Sequence, residues 1–176
     1  MPEVSPQQRA EEGKRAYGRK DYQAAARVFA EAAEMFTVAG DRLSAAEMKN
    51  NQCVALLQEK QAQAALDAVV GSDAVFAAAG DIRRQAMALA NQAAALEALK
   101  RSEEAIACYG QSSSLLEEAG EGDLRADVMR VLAALQMKRG KTIDAVVSMQ
   151  SGVAGVKKPS LKQWILKKLL RFPKWW

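Results

Sequence analysis

Matching residues recur forty positions apart along this chain, and that interval limits the possible folds more than any other feature. Ala39-Gly40, Ala79-Gly80 and Ala119-Gly120 repeat at this spacing, followed by Asp41, Asp81 and Glu121. Ala25, Ala65, Ala105 and Ala145 form a column of small residues, and Phe29, Val69, Tyr109 and Met149 form a bulky column four positions on. Ala32, Ser72, Ser112 and Gly152 are small again, as are Gly13, Cys53, Ala93 and Ala133 twelve positions before the Ala column. Four such columns through four copies without a gap indicate a repeat architecture.

The residues within each copy indicate helix. Of the 176 residues 35 are Ala, and the four Pro (Pro2, Pro6, Pro159 and Pro173) leave Gln7 to Lys158 uninterrupted. The strongest helix former is abundant and the strongest helix breaker is absent from that span, which excludes a β-sandwich. Two antiparallel helices approach closely where small residues face each other, and a bulky neighbour fills the space beside the crossing. Alternating small and bulky columns therefore predict a helical hairpin in each copy.

Turn signals divide each hairpin at Arg19-Lys20-Asp21, Lys60-Gln61, Lys100-Arg101-Ser102 and Arg139-Gly140-Lys141-Thr142. Asp21, Ser102 and Thr142 are expected to cap the second helices of their copies, and Asp41 and Asp81 the first helices of the following ones. Each helix is expected to run about 16 to 18 residues. One hairpin cannot bury its apolar face alone, so the copies must stack.

The column pattern resembles the tetratricopeptide (TPR) repeat, with Gly13, Ala16, Ala25, Phe29 and Ala32 occupying its small-small-Ala-aromatic-Ala signature. The signature Trp and Pro are missing, and a 40-residue unit is longer than usual. Long units, with Leu132-Ala133-Ala134-Leu135 and Lys138-Arg139-Gly140-Lys141 in the fourth copy, resemble the kinesin-light-chain branch, in particular bacterial kinesin-light-chain-like proteins associated with bacterial tubulins. The resemblance implies an all-α, right-handed solenoid of four hairpins over residues 1–156, followed by a C-terminal amphipathic helix or tail over 157–176. It also implies a protein partner, with a tubulin-like filament as one such partner.

In a stacked array the first helix of each hairpin lines the binding side. By period the groove-facing residues include Lys14, Tyr17, Glu47, Asn50, Asn51, Val54, Leu57, Met87, Asn91, Ala94, Asp127, Arg130, Met137 and Lys138. Asn51 and Asn91 occupy equivalent positions. An amide carries both donor and acceptor, so equivalent Asn on successive helices can hold a peptide backbone whatever its side chains; the other reading is two solvated surface amides. Similar Asn do hold peptides in kinesin-light-chain-like arrays. Met87 and Met137 add adaptable apolar surface. No group of groove cations forms a carboxylate clamp.

Charge separates the chain into two parts. From Lys157 to Trp176 there are seven cations and no acid, whereas the other 18 cations of the 25 face all 21 acids, a net of −3 against an overall +4. All three Trp lie in the basic part. A helix over about 161–172 would spread its apolar residues through roughly 240° of arc. Lys157, Lys158, Lys162, Trp164, Ile165, Lys167, Lys168, Leu169, Arg171, Phe172, Lys174, Trp175 and Trp176 are the candidate membrane-binding residues, because Lys-flanked apolar arcs with boundary Trp suit the headgroup layer of an anionic membrane. Capping of the array, self-association, or contact with an acidic surface are the alternatives. Nucleic acid is disfavoured because the body has no basic groove.

The polar N-terminus carries no signal-peptide core, and no stretch approaches the ~18 apolar residues of a spanning helix. A cytoplasmic protein, peripheral on the inner face of the cell membrane, is expected. The absence of His and of nucleotide, nucleophile-elbow or CxxC motifs points away from an enzyme, a metal site or a cofactor. Cys53 is expected to be a buried packing residue and Cys108 partly exposed. The function read from sequence is a non-enzymatic adaptor that links a protein partner to a membrane. The alternative is a soluble TPR scaffold or chaperone whose tail caps the array.

Overall fold

A computed structural model describes residues 4–154 of the chain. The candidate membrane-binding residues, all between 157 and 176, lie outside the described residues. Among the described residues nine helices run in order: α1 Pro6–Gly18, α2 Tyr22–Val38, α3 Arg42–Gln58, α4 Ala62–Val69, α5 Ser72–Ala78, α6 Ile82–Ala98, α7 Ser102–Glu118, α8 Gly122–Lys138 and α9 Thr142–Ala154. They make four hairpins, α1/α2, α3/α4–α5, α6/α7 and α8/α9. Each second helix packs both on its own first helix and on the first helix of the next hairpin, giving the TPR-like solenoid expected from the columns.

The helices end in a uniform way. At seven turns the N–H of the residue three past the helix end donates to the carbonyl five residues earlier, from Asp21 to Ala16 through Lys141 to Gln136, at 2.9 to 3.0 Å. The residue before each donor is left-handed: Lys20, Gly40, Lys60, Gly80, Lys100, Gly120 and Gly140. This is the Schellman closure, which satisfies carbonyls that a helix end leaves open. The turns thus recur every twenty residues, half the interval visible in the sequence columns.

Asp21, Asp41 and Asp81 cap as expected, each accepting from the backbone N–H three residues on. Ser102 and Thr142 do not cap. Each is the first residue inside its helix, and the Arg101 and Lys141 carbonyls accept the first helical bonds, from Ala105 and Ala145. The period explains the shift, because Ser102 and Thr142 fall in the column of Tyr22, while Arg101 and Lys141 share the column of Asp21.

A second correction concerns the second helix of the second hairpin, expected to be continuous. It breaks at Val70, which is extended at φ −54 and ψ 130, and at Gly71, which is left-handed at φ 83. The pieces α4 and α5 have 8 and 7 residues. The columns keep their register across the break, since Val69 and Ser72 are both buried.

The crossings are as close as the small columns require. A Cβ placed on Gly13 would lie 2.7 Å from two ring carbons of Phe29, and one on Gly152 would lie 2.8 Å from Met129 Cβ. Ala25, Ala65, Ala105 and Ala145 are fully buried. The main core runs unbroken from Ala10 to Leu135. A smaller cluster of Ala46, Phe76 and Ala88 gathers behind the break, where the Arg84 guanidinium lies over the Phe76 ring at 5.2 Å.

Candidate functional site

Contacts about forty residues apart show that the first helices lie side by side along one face of the array. Arg84 of α6 pairs with Glu47 of α3 at 3.2 Å, and Asn91 Nδ2 of α6 donates to Asn50 Oδ1 of α3 at 3.2 Å. Lys138 of α8 pairs with Glu97 of α6 at 3.2 Å. Helical spacing then places Glu47, Asn50, Asn51, Val54 and Leu57 on one stripe of α3. Arg84, Met87, Asn91 and Ala94 form the matching stripe of α6.

The two Asn at equivalent positions are used differently. Asn91 spends one N–H on Asn50, which is buried, and its backbone carbonyl faces the Cys53 thiol at 3.9 Å. Its side-chain carbonyl and second N–H have no hydrogen-bond partner among the described residues. Asn51 is half-buried and makes no side-chain hydrogen bond among the described residues. Asn50 is therefore a bridge between helices, whereas Asn51 and Asn91 keep polar atoms unpaired among the described residues. Sequence reasoning placed Asn50 with the other two because period fixes the face of a helix and not the depth of a side chain.

The remaining groove residues separate by environment. Met87 and Met137 are exposed; Val54 and Leu57 are half-buried, Leu57 against the main core. Tyr17 is half-buried and packs edge-on against Tyr22 across the turn of the first hairpin, with ring centroids 5.2 Å apart. Lys14 pairs with Glu11 at 2.7 Å, and that hydrogen bond, with the charges of Glu11 and Glu47, holds its ammonium above its ordinary pKa. Arg130 lies 3.7 Å from Asp127 on the same helix. The face consequently alternates charge pairs with amides and thioethers, and each of these cations has at least one carboxylate partner. Arg84, Glu97 and Asp127 complete these pairs. Glu97 escaped the sequence reading, although its position 41 residues before Lys138 is a legible signal.

Burial pushes the Cys53 thiol up to about 12 and raises that of Cys108, so neither is an activated thiolate at neutral pH. Among the described residues no group of His, Cys, Asp and Glu could hold a metal, and no helix is long and apolar enough to cross a membrane.

The profile of one protein family, described as "Soluble NSF attachment protein, SNAP", matches residues 13–170. No curated protein matches the chain.

Proposed function

The chain belongs to the soluble NSF attachment protein (SNAP) family, and on that premise we propose that it is an attachment adaptor which holds a protein partner on the face formed by α1, α3, α6 and α8. SNAP-like helical repeats are a family of non-enzymatic, protein-interacting adaptors, and the family's own description is of attachment to NSF. The observation that carries the reading for this chain is the open amide chemistry of Asn51 and Asn91 beside exposed Met87, on helices locked together by the Asn50–Asn91 and Glu47–Arg84 contacts. Amides satisfy a partner's backbone, a thioether adapts to its side chains, and the paired charges give the face no strong preference for acid or base.

The second half of the proposal is that the basic, Trp-rich segment 157–176 holds the assembly on an anionic membrane, on the inner face of the cell membrane. Its support is the charge separation in the sequence, since each cation near an anionic leaflet contributes on the order of 1 kcal/mol. A tubulin-like filament rests on the kinesin-light-chain resemblance alone; the SNAP match adds nothing to it.

The test compares partner capture from a lysate of the source cell by the wild type and by the Asn51→Ala, Asn91→Ala double variant, together with flotation on phosphatidylserine vesicles. The double variant is expected to keep its helicity and its flotation while losing most of the captured partner. Equal capture would move the binding surface off this face. Equal flotation by a chain ending at Val156 would remove the membrane role of the tail.

A further inference from the structure

The break in the second helix of hairpin two borders a cleft against α3. In hairpin three Ser112 Oγ of α7 donates to the Ala86 carbonyl of α6 at 2.7 Å, closing the second helix onto the first. Forty residues earlier the corresponding pair is Ser72 and Ala46. Both line a cleft of about 280 Å³, and the Ser72 hydroxyl has no hydrogen-bond partner among the described residues although the residue is only 2% exposed. Leaving a buried hydroxyl unpartnered forfeits its hydration without return, and native structures seldom keep one without a use.

The rest of the lining suggests the use. Arg42 and Lys49, seven residues apart and so on one side of α3, border the cleft. Neither takes part in an ion pair among the described residues, whereas Arg83 and Arg84 on the next first helix are both paired. No carboxylate lines the cleft. Thr37 also borders it, but its hydroxyl proton is given to the Ala33 carbonyl at 2.8 Å, leaving that oxygen as an acceptor only. The side-chain donors bordering the space are therefore two cations and one buried hydroxyl. At this volume the cleft falls below the ~300–1,000 Å³ of drug-sized ligand pockets, so it suits one small group.

We propose that this cleft between α3 and the broken helix α4–α5 is a binding site for a phosphoryl group, held by Arg42 and Lys49 with Ser72 as the buried donor. Two cations match a group carrying about −1.5 to −2 charges near neutral pH, and charge-assisted hydrogen bonds from Arg to phosphoryl oxygens are the strong ones. The ligand fills the gap left where Ser72 and Ala46 fail to meet.

Amide shifts of the full chain, followed by NMR during titration with inorganic phosphate against sodium chloride at matched ionic strength, test the site. Saturable shifts confined to residues around Arg42, Lys49 and Ser72 are expected. Arg42→Gln with Lys49→Gln, both exposed positions that leave the core intact, is expected to weaken phosphate binding at least tenfold, and Ser72→Ala several-fold. A parallel titration with O-phosphoserine separates the sources: tighter binding than phosphate assigns the site to a phosphorylated side chain, and equal or weaker binding assigns it to the free ion. Shifts that chloride reproduces, or that persist unchanged in the double Gln variant, overturn the proposal.

Discussion

At the scale of single residues, this array depends on which small side chains face a neighbouring helix and which face solvent. Gly13 and Gly110 are both helical glycines, yet a Cβ on Gly13 would collide with the buried Phe29 ring, and one on Gly110 would meet nothing within 4 Å. A buried ring cannot swing away without disturbing its own contacts, and overpacking a tight core costs ~1–3 kcal/mol. Gly13→Ala is therefore expected to destabilise the protein by that amount. Gly110→Ala should stabilise it by about 0.5–1 kcal/mol, the helix-propensity difference between the two residues. Urea denaturation of both variants measures the contrast. Equal effects of the same sign would mean that the Gly13–Phe29 crossing does not control the packing of hairpin one. The same side-chain scale explains why Asn50 became a bridge and Asn51 did not. One residue of rotation on α3 separates a buried amide bonded to Asn91 from a half-buried one that meets solvent.

At the scale of elements, the caps show what the sequence could and could not reveal. Helix identity and hairpin pairing are legible because columns of residue size survive through all copies, and the Asp caps because an Asp directly follows the turn at 21, 41 and 81. The caps assigned to Ser102 and Thr142 failed because residue type was weighed over period, and a Ser or Thr at the first helical position looks like a cap in isolation. The break between α4 and α5 was not legible from the columns, since Val69 and Ser72 hold the same register as Tyr109 and Ser112. The local signal was Val69-Val70-Gly71, two β-branched residues before a glycine. Glycine alone does not break this fold, as Gly110 stays helical in α7. The working caps also predict a pH dependence. The Arg84 backbone N–H, followed by the Arg84 side chain, holds the Asp81 carboxyl below its ordinary range, and the Ser44 backbone N–H does the same to Asp41. A depressed folded pKa gives stability that is present above the ordinary carboxylate value and is lost as pH falls through the folded one. Asp81→Asn keeps a capping side chain but has no proton to gain. Its stability, from urea denaturation at a series of pH values from neutral down through the carboxylate range, is expected to fall less steeply on the acid side than that of the wild type. Parallel profiles would show that the cap bond, and not the charge, carries the effect.

For the whole molecule, stability in a stacked array is close to a sum of hairpin terms and neighbour interfaces, so one irregular hairpin sets a weak point without unfolding the rest. Hairpin two is that point. Isolated helices shorter than ~12–15 residues are marginal in water, so α4 and α5 rely on tertiary packing. Phe76, fully buried with Ala46 and Ala88 under the Arg84 guanidinium, holds α5 in place, while Leu66 and Val69 hold α4. At the break the Val70 N–H donates back to Leu66 at the end of α4 and the Val75 N–H to Gly71 at the start of α5, at 3.1 and 3.3 Å, so neither bond crosses from one piece to the other. Amides at Val69 to Asp73 are therefore expected to exchange with solvent at least about tenfold faster than those at Tyr109 to Ser113, the same positions in the continuous α7. Because Phe76 fixes α5 independently, Gly71→Gln, which installs the residue found at position 111, should not straighten the helix. It should force a side chain into a left-handed position and cost ~1–2 kcal/mol. If that variant instead gains stability and its amides become as protected as those of α7, the break is a local preference of Gly71 rather than a consequence of packing. In that outcome the Ser72 hydroxyl would be free to close on Ala46, and the cleft beside Arg42 and Lys49 would exist only while the glycine is there to open it.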